Sequence, residues 1–119
     1  MSISDEISVQ ENDGVIQNLA EIIREEFTKK NVKVDRLYLF GSRAHGNARS
    51  DSDYDFLVIS GSQIERFIQR QITSEIRRRF VFEFNIDADI LVIPKTSTSA
   101  SLTDKGKISY YAIRDGIII

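Results

Sequence analysis

Asp53 and Asp55 stand two residues apart, and a Gly41-Ser42 pair precedes them by ten intervening residues. On an extended strand both carboxylates project from the same face, a few ångströms from each other. Two ionised carboxylates that close repel, and a divalent cation is the natural way to hold them. Glycine at the end of a strand lets the chain turn sharply and lets a ligand approach the backbone. A short helix starting at Ser42 would then offer free N–H groups and a hydroxyl to a phosphate, with Arg43 adding a cation nearby. A phosphate cradle and a metal clamp separated by one loop can meet around a single metal-bound nucleotide. Asp89 or Asp87 offers a further carboxylate downstream. Three carboxylates allow two-metal in-line transfer, in which one ion activates an attacking hydroxyl and the other stabilises the leaving pyrophosphate.

The elements that must position these groups follow from the apolar pattern. Residues 1–12 are polar and are expected to form a flexible N-terminus, with a single domain over 13–119. Val15, Ile16, Leu19, Ile22, Ile23 and Phe27 recur at helical spacing and predict an amphipathic helix ending near Lys29-Lys30-Asn31. VDRLYLF over 34–40 reads as a strand that stops at Gly41, and Phe56–Ile59 as a second. Ser62 and Glu65 have the spacing of a capping box for a helix that carries Ile64, Phe67, Ile68, Ile72, Ile76 and Phe80 on one face. Arg66, Arg70, Arg77 and Arg78 lie on its other face. A third strand is expected from Phe84 to Ile93, stopped by Pro94. Ser101 and Asp104 suit the cap of a last helix through Tyr110-Tyr111, before Gly116 and the tail Ile117-Ile118-Ile119. The order α-β-β-α-β-α-β predicts a mixed α/β (α+β) fold, a small sheet flanked by helices.

Composition removes several alternatives. The 119 residues contain no cysteine and one histidine, His45, which excludes disulfides, thiolate sites and histidine-pair zinc sites. A metal held here would be held by carboxylates, which suits magnesium or manganese. No apolar run approaches the ~20 residues that span a bilayer, and the acidic start is unlike a signal peptide, so a cytoplasmic location is expected. A net charge of −2 argues against broad nucleic-acid binding.

An isolated D-x-D usually marks a solvated turn, and a G-S-R turn is less specific still. Here both stand together between two apolar strands and ahead of an acid-bearing third. Gly41-Ser42, ten residues and Asp53-Tyr54-Asp55 resemble the G-S-x10-D-x-D signature of the DNA polymerase β-type nucleotidyltransferase superfamily. The fuller string LFGSRAHGNARSDSDYDFLV resembles the minimal nucleotidyltransferases of bacteria and archaea. Asp89-Ile90-Leu91-Val92 sits where that family places its third acid, and the closing G-I-I-I resembles its last strand.

The resemblance implies a polymerase β-like palm in which Gly41 and Ser42 position a triphosphate and Asp53 and Asp55 bind magnesium. Asp89 would serve as metal ligand or general base, with Asp87 as its alternative. Arg43 would contact phosphate or form an ordinary surface ion pair. Outside the motif, His45 reads as a solvent-facing turn residue and Asp51 as an Asx-type turn. Arg77-Arg78-Arg79 reads as the basic end of a helix, and Tyr110 and Tyr111 as packing for the last helix. By resemblance, the reaction is transfer of a nucleoside monophosphate, AMP from ATP or another NTP, to a hydroxyl. A chain of this length is expected to bind its acceptor as a partner rather than on a further domain. Small proteins of this type pair with helical HEPN-type toxins as antitoxins and can adenylylate a tyrosine of the partner. The rival expectation is a non-catalytic module of the same fold that neutralises its partner by contact. Self-association is also compatible with so small a domain.

Overall fold

The computed structural model describes residues 3–44, 53–98 and 108–119. The chain runs through α1 (Ile3–Lys29), β1 (Val34–Phe40), a 3-10 turn at Ser42–Ala44 and β2 (Tyr54–Ser60). It continues through α2 (Arg66–Phe84), β3 (Ala88–Pro94), a second 3-10 turn at Lys95–Ser97, α3 (Ile108–Asp115) and β4 (Ile117–Ile118). This is the mixed α/β order that the apolar pattern predicts. The expected roles of His45 and Asp51, and the Ser101/Asp104 cap, lie outside the described residues.

The strands form one sheet in the order β3-β2-β1-β4. β1 is antiparallel to both β2 and β4, while β2 and β3 run parallel. A parallel pair needs a crossover, and α2 supplies it. Strand alternation then sorts the side chains into two layers. Leu37, Leu39, Phe56 and Val58 face α1 and α2, where they meet Leu19, Ile23, Phe27, Ile72, Ile76 and Phe80. Phe56 and Phe80 pack edge-to-face with ring centroids 5.9 Å apart, a geometry that aromatic quadrupoles favour. On the opposite face Tyr38, Leu57, Ile59 and Ala112 form a smaller cluster, partly covered by α3. β2 is the buried centre of the domain, since every one of its residues except Asp55 is buried.

Helix ends explain several departures from the expected boundaries. α1 begins at Ile3, well before its apolar periodicity starts. It closes in a Schellman motif: Asn31 adopts φ 58° and donates to Thr28 O, while the Val32 N–H donates to Phe27 O. The Ser62/Glu65 capping box is absent. Glu65 is the N-cap residue but its side chain makes no cap bond, and the buried Ser60 hydroxyl donates instead to the Ser62 carbonyl at 2.7 Å. The third strand starts at Ala88, because Phe84 completes α2 and Asn85, at φ 53°, ends it. Gly116 allows the abrupt step from α3 to β4, where a Cβ would run into the Ala112 carbonyl.

α1 and α2 are also tied by charge. Glu26, only 5% exposed, accepts from Lys29 Nζ at 2.8 Å and from Arg79 Nη1 at 2.8 Å. Arg79 reaches Glu25 and Glu83 as well. Burial opposes ionisation of Glu26, but the hydrogen bonds and charges of Lys29 and Arg79 outweigh it and hold the carboxyl below its ordinary range. Removing one partner of such a group costs more than removing both. Arg79→Met is therefore expected to lower stability by roughly 1–3 kcal/mol in urea unfolding at neutral pH. Adding Glu26→Leu to it should recover part of that loss. A depressed carboxyl stabilises above its unfolded pKa, so the deficit of Arg79→Met should shrink as pH falls below about 4.

Candidate active site

The two strands bearing acids are paired in parallel with Asp55 directly opposite Asp89. Adjacent strands lie about 4.8 Å apart, and paired residues project from the same face. Both carboxylates thus stand side by side on the face away from α1 and α2, at the end of β2 where the chain enters from the loop. Asp53 lies just before β2 and is exposed. The carboxyl of Asp55 is pushed above its ordinary value, first by burial and then by the negative charges of Asp89 and Asp53. Asp53 and Asp89 thus both bear on Asp55.

Gly41 completes the arrangement from the other side. Phe40, the last residue of β1, pairs with Asp55, and Gly41 follows with φ 75°. A Cβ at Gly41 would lie 2.5 Å from Asp55 Oδ2 and 3.4 Å from its Cγ. Glycine is thus required twice here, for the left-handed backbone and for the approach of the turn to the carboxylate. The 3-10 turn Ser42–Ala44 starts immediately beyond, closed by the Ala44 N–H donating to Gly41 O at 3.1 Å. The glycine turn and Asp55 therefore share one corner of the sheet.

Arg43 packs on an aromatic ring beside this corner. Its guanidinium lies over the Tyr54 ring, 4.5 Å from the centroid, a cation–π contact. Tyr54 projects to the opposite face of β2 from Asp55 and stacks near Phe56. In this arrangement Arg43 braces the turn against the core.

The two alternatives for the downstream acid are separated by position. Asp89 lies in β3 in register with Asp55, and lines a cleft of ≈ 360 Å³ together with Asp55, Phe40, Thr73, Arg77 and Leu91. Asp87 precedes the strand, and its carbonyl accepts from the Tyr54 N–H at 3.2 Å. Its side chain lines a different and larger cavity against α2. Thr73 and Arg77 were not legible as cleft residues. Their spacing of four on α2 puts them on one helix face, but only the crossover brings that face to the edge of β3.

Among the described residues, no three carboxylate or imidazole groups converge tightly enough to enclose a metal ion by themselves. Magnesium is commonly held by one or two carboxylates plus substrate phosphates and water rather than by an all-protein cage. A corner with hard oxygen donors, mutually repelling acids and a glycine turn beside them fits that mode. The donors available for it are Asp53, Asp55 and Asp89.

No curated protein sequence matches the chain. Two solved structures share its fold at 16% identity. One is a chain of a mutant MntA–HpeT toxin–antitoxin, with a TM-score of 0.58 over 86% of this chain and 69% of that one. The other is a chain of a toxin–antitoxin solved with AMP-PNP, with a TM-score of 0.56 over 82% of this chain and 69% of that one. The sequence profile described as polymerase beta, nucleotidyltransferase, matches residues 21–110, which include both acid-bearing strands and the Gly41 turn. The chain belongs to the polymerase β-type nucleotidyltransferase family.

Proposed function

We propose that the protein transfers AMP from ATP, with magnesium, to a hydroxyl of a partner protein, and that it acts as the antitoxin of a toxin–antitoxin pair. The observation that carries this reading is the registered pair Asp55–Asp89 beside the Gly41 turn, with Asp53 close enough to act on Asp55. The fold shared with a toxin–antitoxin solved with AMP-PNP supports the adenine nucleotide and the setting. A tyrosine of a helical HEPN-type toxin is the acceptor that the sequence resemblance implies. A cytoplasmic location agrees with an ATP donor, and no helix among the described residues is long and apolar enough to cross a membrane.

Each residue then has a role that follows from its place. Asp53 and Asp55 would hold a magnesium ion, which would offset charge on the triphosphate. Gly41 and the backbone N–H groups of the following turn, with Ser42, receive phosphate oxygens. Asp89 faces the place where the acceptor hydroxyl must arrive and takes its proton. The acceptor oxygen bonds to the α-phosphorus, the bond from that phosphorus to the bridging oxygen breaks, and pyrophosphate leaves. Magnesium, when bound, lowers the charge on the triphosphate and stabilises the leaving group.

Three experiments bear on this reading. With ATP labelled on the α-phosphate, wild-type protein should label an acceptor in lysate of the source cells. Label on the γ-phosphate and the Asp53→Asn/Asp55→Asn protein should give none. A double variant that neutralises its partner as well as wild type would establish the contact-only module instead.

Repulsion makes a second prediction independent of turnover. A carboxyl raised in the fold opposes folding once ionised, so its penalty is absent below the unfolded pKa and grows as pH rises through the folded value. Asp55→Asn should therefore raise the melting temperature at neutral pH, and the gain should vanish below about pH 4. Magnesium with ATP should raise the melting temperature of wild type and not of that variant. Wild type that melts no lower than Asp55→Asn at neutral pH would show that the acids are not in conflict.

Gly41→Ala must accept both a left-handed alanine and a methyl group against Asp55. It is expected to lower stability by about 1–2 kcal/mol in urea unfolding and to abolish transfer. Transfer at the wild-type rate would place the nucleotide elsewhere.

A further inference from the structure

The outward face of α2 is built for contact rather than for water. At 3.6 residues per turn, Arg66, Phe67, Arg70, Arg77, Val81 and Phe82 fall on one side of this helix. Phe67 is 62% exposed, Val81 50% and Phe82 86%, and the three arginines are exposed with them. Of the two acids of α2, Glu83 lies off this face and pairs with Arg79, while Glu75 sits at its border beside Phe82 and is engaged by Arg78. What remains is an apolar and cationic strip along the helix. Large exposed apolar side chains gathered on one face mark interaction sites, whereas scattered ones do not. Beside the strip lies a cavity of ≈ 500 Å³, between Val81 and Phe82 on one wall and Asp87 and Ala88 on the other.

The strip also touches the chemistry. Arg77 lines this groove and, on its other side, the cleft that contains Asp55 and Asp89. A partner seated along α2 is thereby led to the carboxylates without crossing the sheet.

We infer that the outward face of α2, with its adjoining groove, is the docking surface for the acceptor protein, and that it receives an acidic, amphipathic helix. This rests on the transferase reading for the acceptor's identity but not for the existence of the surface. Apolar side chains of the incoming helix seat between Val81 and Phe82, and its acidic residues meet Arg66, Arg70 and Arg77. A ridged helix face takes another helix well. A nucleic-acid strand fits less well, because Val81 and Phe82 line the groove with apolar side chains where a phosphate backbone needs a continuous cationic track. Arg and aromatic side chains are the usual anchors of protein interfaces.

The test measures fluorescence anisotropy with the intact protein and three labelled probes. These are a Glu/Leu/Tyr amphipathic helical peptide, its Lys/Leu/Tyr counterpart and a short single-stranded RNA. The acidic peptide should bind best. Arg70→Glu and Phe82→Glu, both on the exposed surface and away from the carboxylate cleft, should each weaken it by about tenfold or more. Their melting temperatures and binding of a fluorescent ATP analogue should match wild type. Tighter binding of RNA than of the acidic peptide would overturn the proposal, as would an acidic-peptide affinity that neither variant changes. The two readings fail separately. Asp53→Asn/Asp55→Asn should keep peptide binding while losing transfer. Arg70→Glu and Phe82→Glu variants that still label the acceptor at the wild-type rate would remove the docking surface and leave the transferase standing.

Discussion

Asp55 and Asp89 repel each other, yet the parallel pairing of β2 with β3 fixes them opposite one another. Nothing local favours that juxtaposition in the absence of a cation. It persists because the opposite faces of the same residues' neighbours are locked in the core. Tyr54 and Phe56 flank the repelling position on β2, and Ala88 and Ile90 flank it on β3, all in the same apolar layer. A one-residue slip of β3 would turn Asp89 into that apolar layer and Ile90 out of it. The burial of many apolar groups thus enforces a contact that two charged groups oppose, which is a common origin of perturbed titration at functional sites.

The rest of the architecture can be understood as support for that register. α2 is both the crossover that makes a parallel pair possible and the lid over its apolar side. Phe80, at its buried face, meets Phe56 directly. α1 holds α2 in place through Phe27, Leu19 and Ile23 and through the Glu26–Arg79 pair. The turn after β1 is fixed in turn by the Arg43–Tyr54 contact, so that Gly41 presses on Asp55 from one side while the sheet holds it from the other.

Much of this was legible in the sequence because it is written in local pattern. VDRLYLF is a strand from Val34 to Phe40 as its composition predicts, and Gly41 ends it where a positive φ is needed. Other features depend on partners far along the chain. Arg79 reads as one more basic residue at a helix end, but besides Glu83 on its own helix it pairs with Glu25 and Glu26 on another. The S-x-x-E pattern at Ser62 and Glu65 is a valid local signal, overridden when the buried Ser60 hydroxyl claims the Ser62 carbonyl. Phe82, Phe84 and Ile86 alternate like a strand just before a real one, so period alone placed the start of β3 too early. The left-handed Asn85 is what separates the two elements.

The closure of the sheet has a consequence in time. β1 is one of the two inner strands, yet one of its edges is covered only by β4, where Leu39 pairs with Ile117 and Tyr38 with Ile118. Arg24 adds a bond to the Ile119 carbonyl, joining residues 95 positions apart. During synthesis the ribosome delivers α1, β1, β2, α2 and β3 before any of those partners exists. A nascent chain therefore carries a nearly complete core with one strand edge still bare, and bare edges are templates for pairing with other chains. That edge stays bare while residues 95–116 emerge, and the Gly116 step then drops the chain from α3 straight onto it.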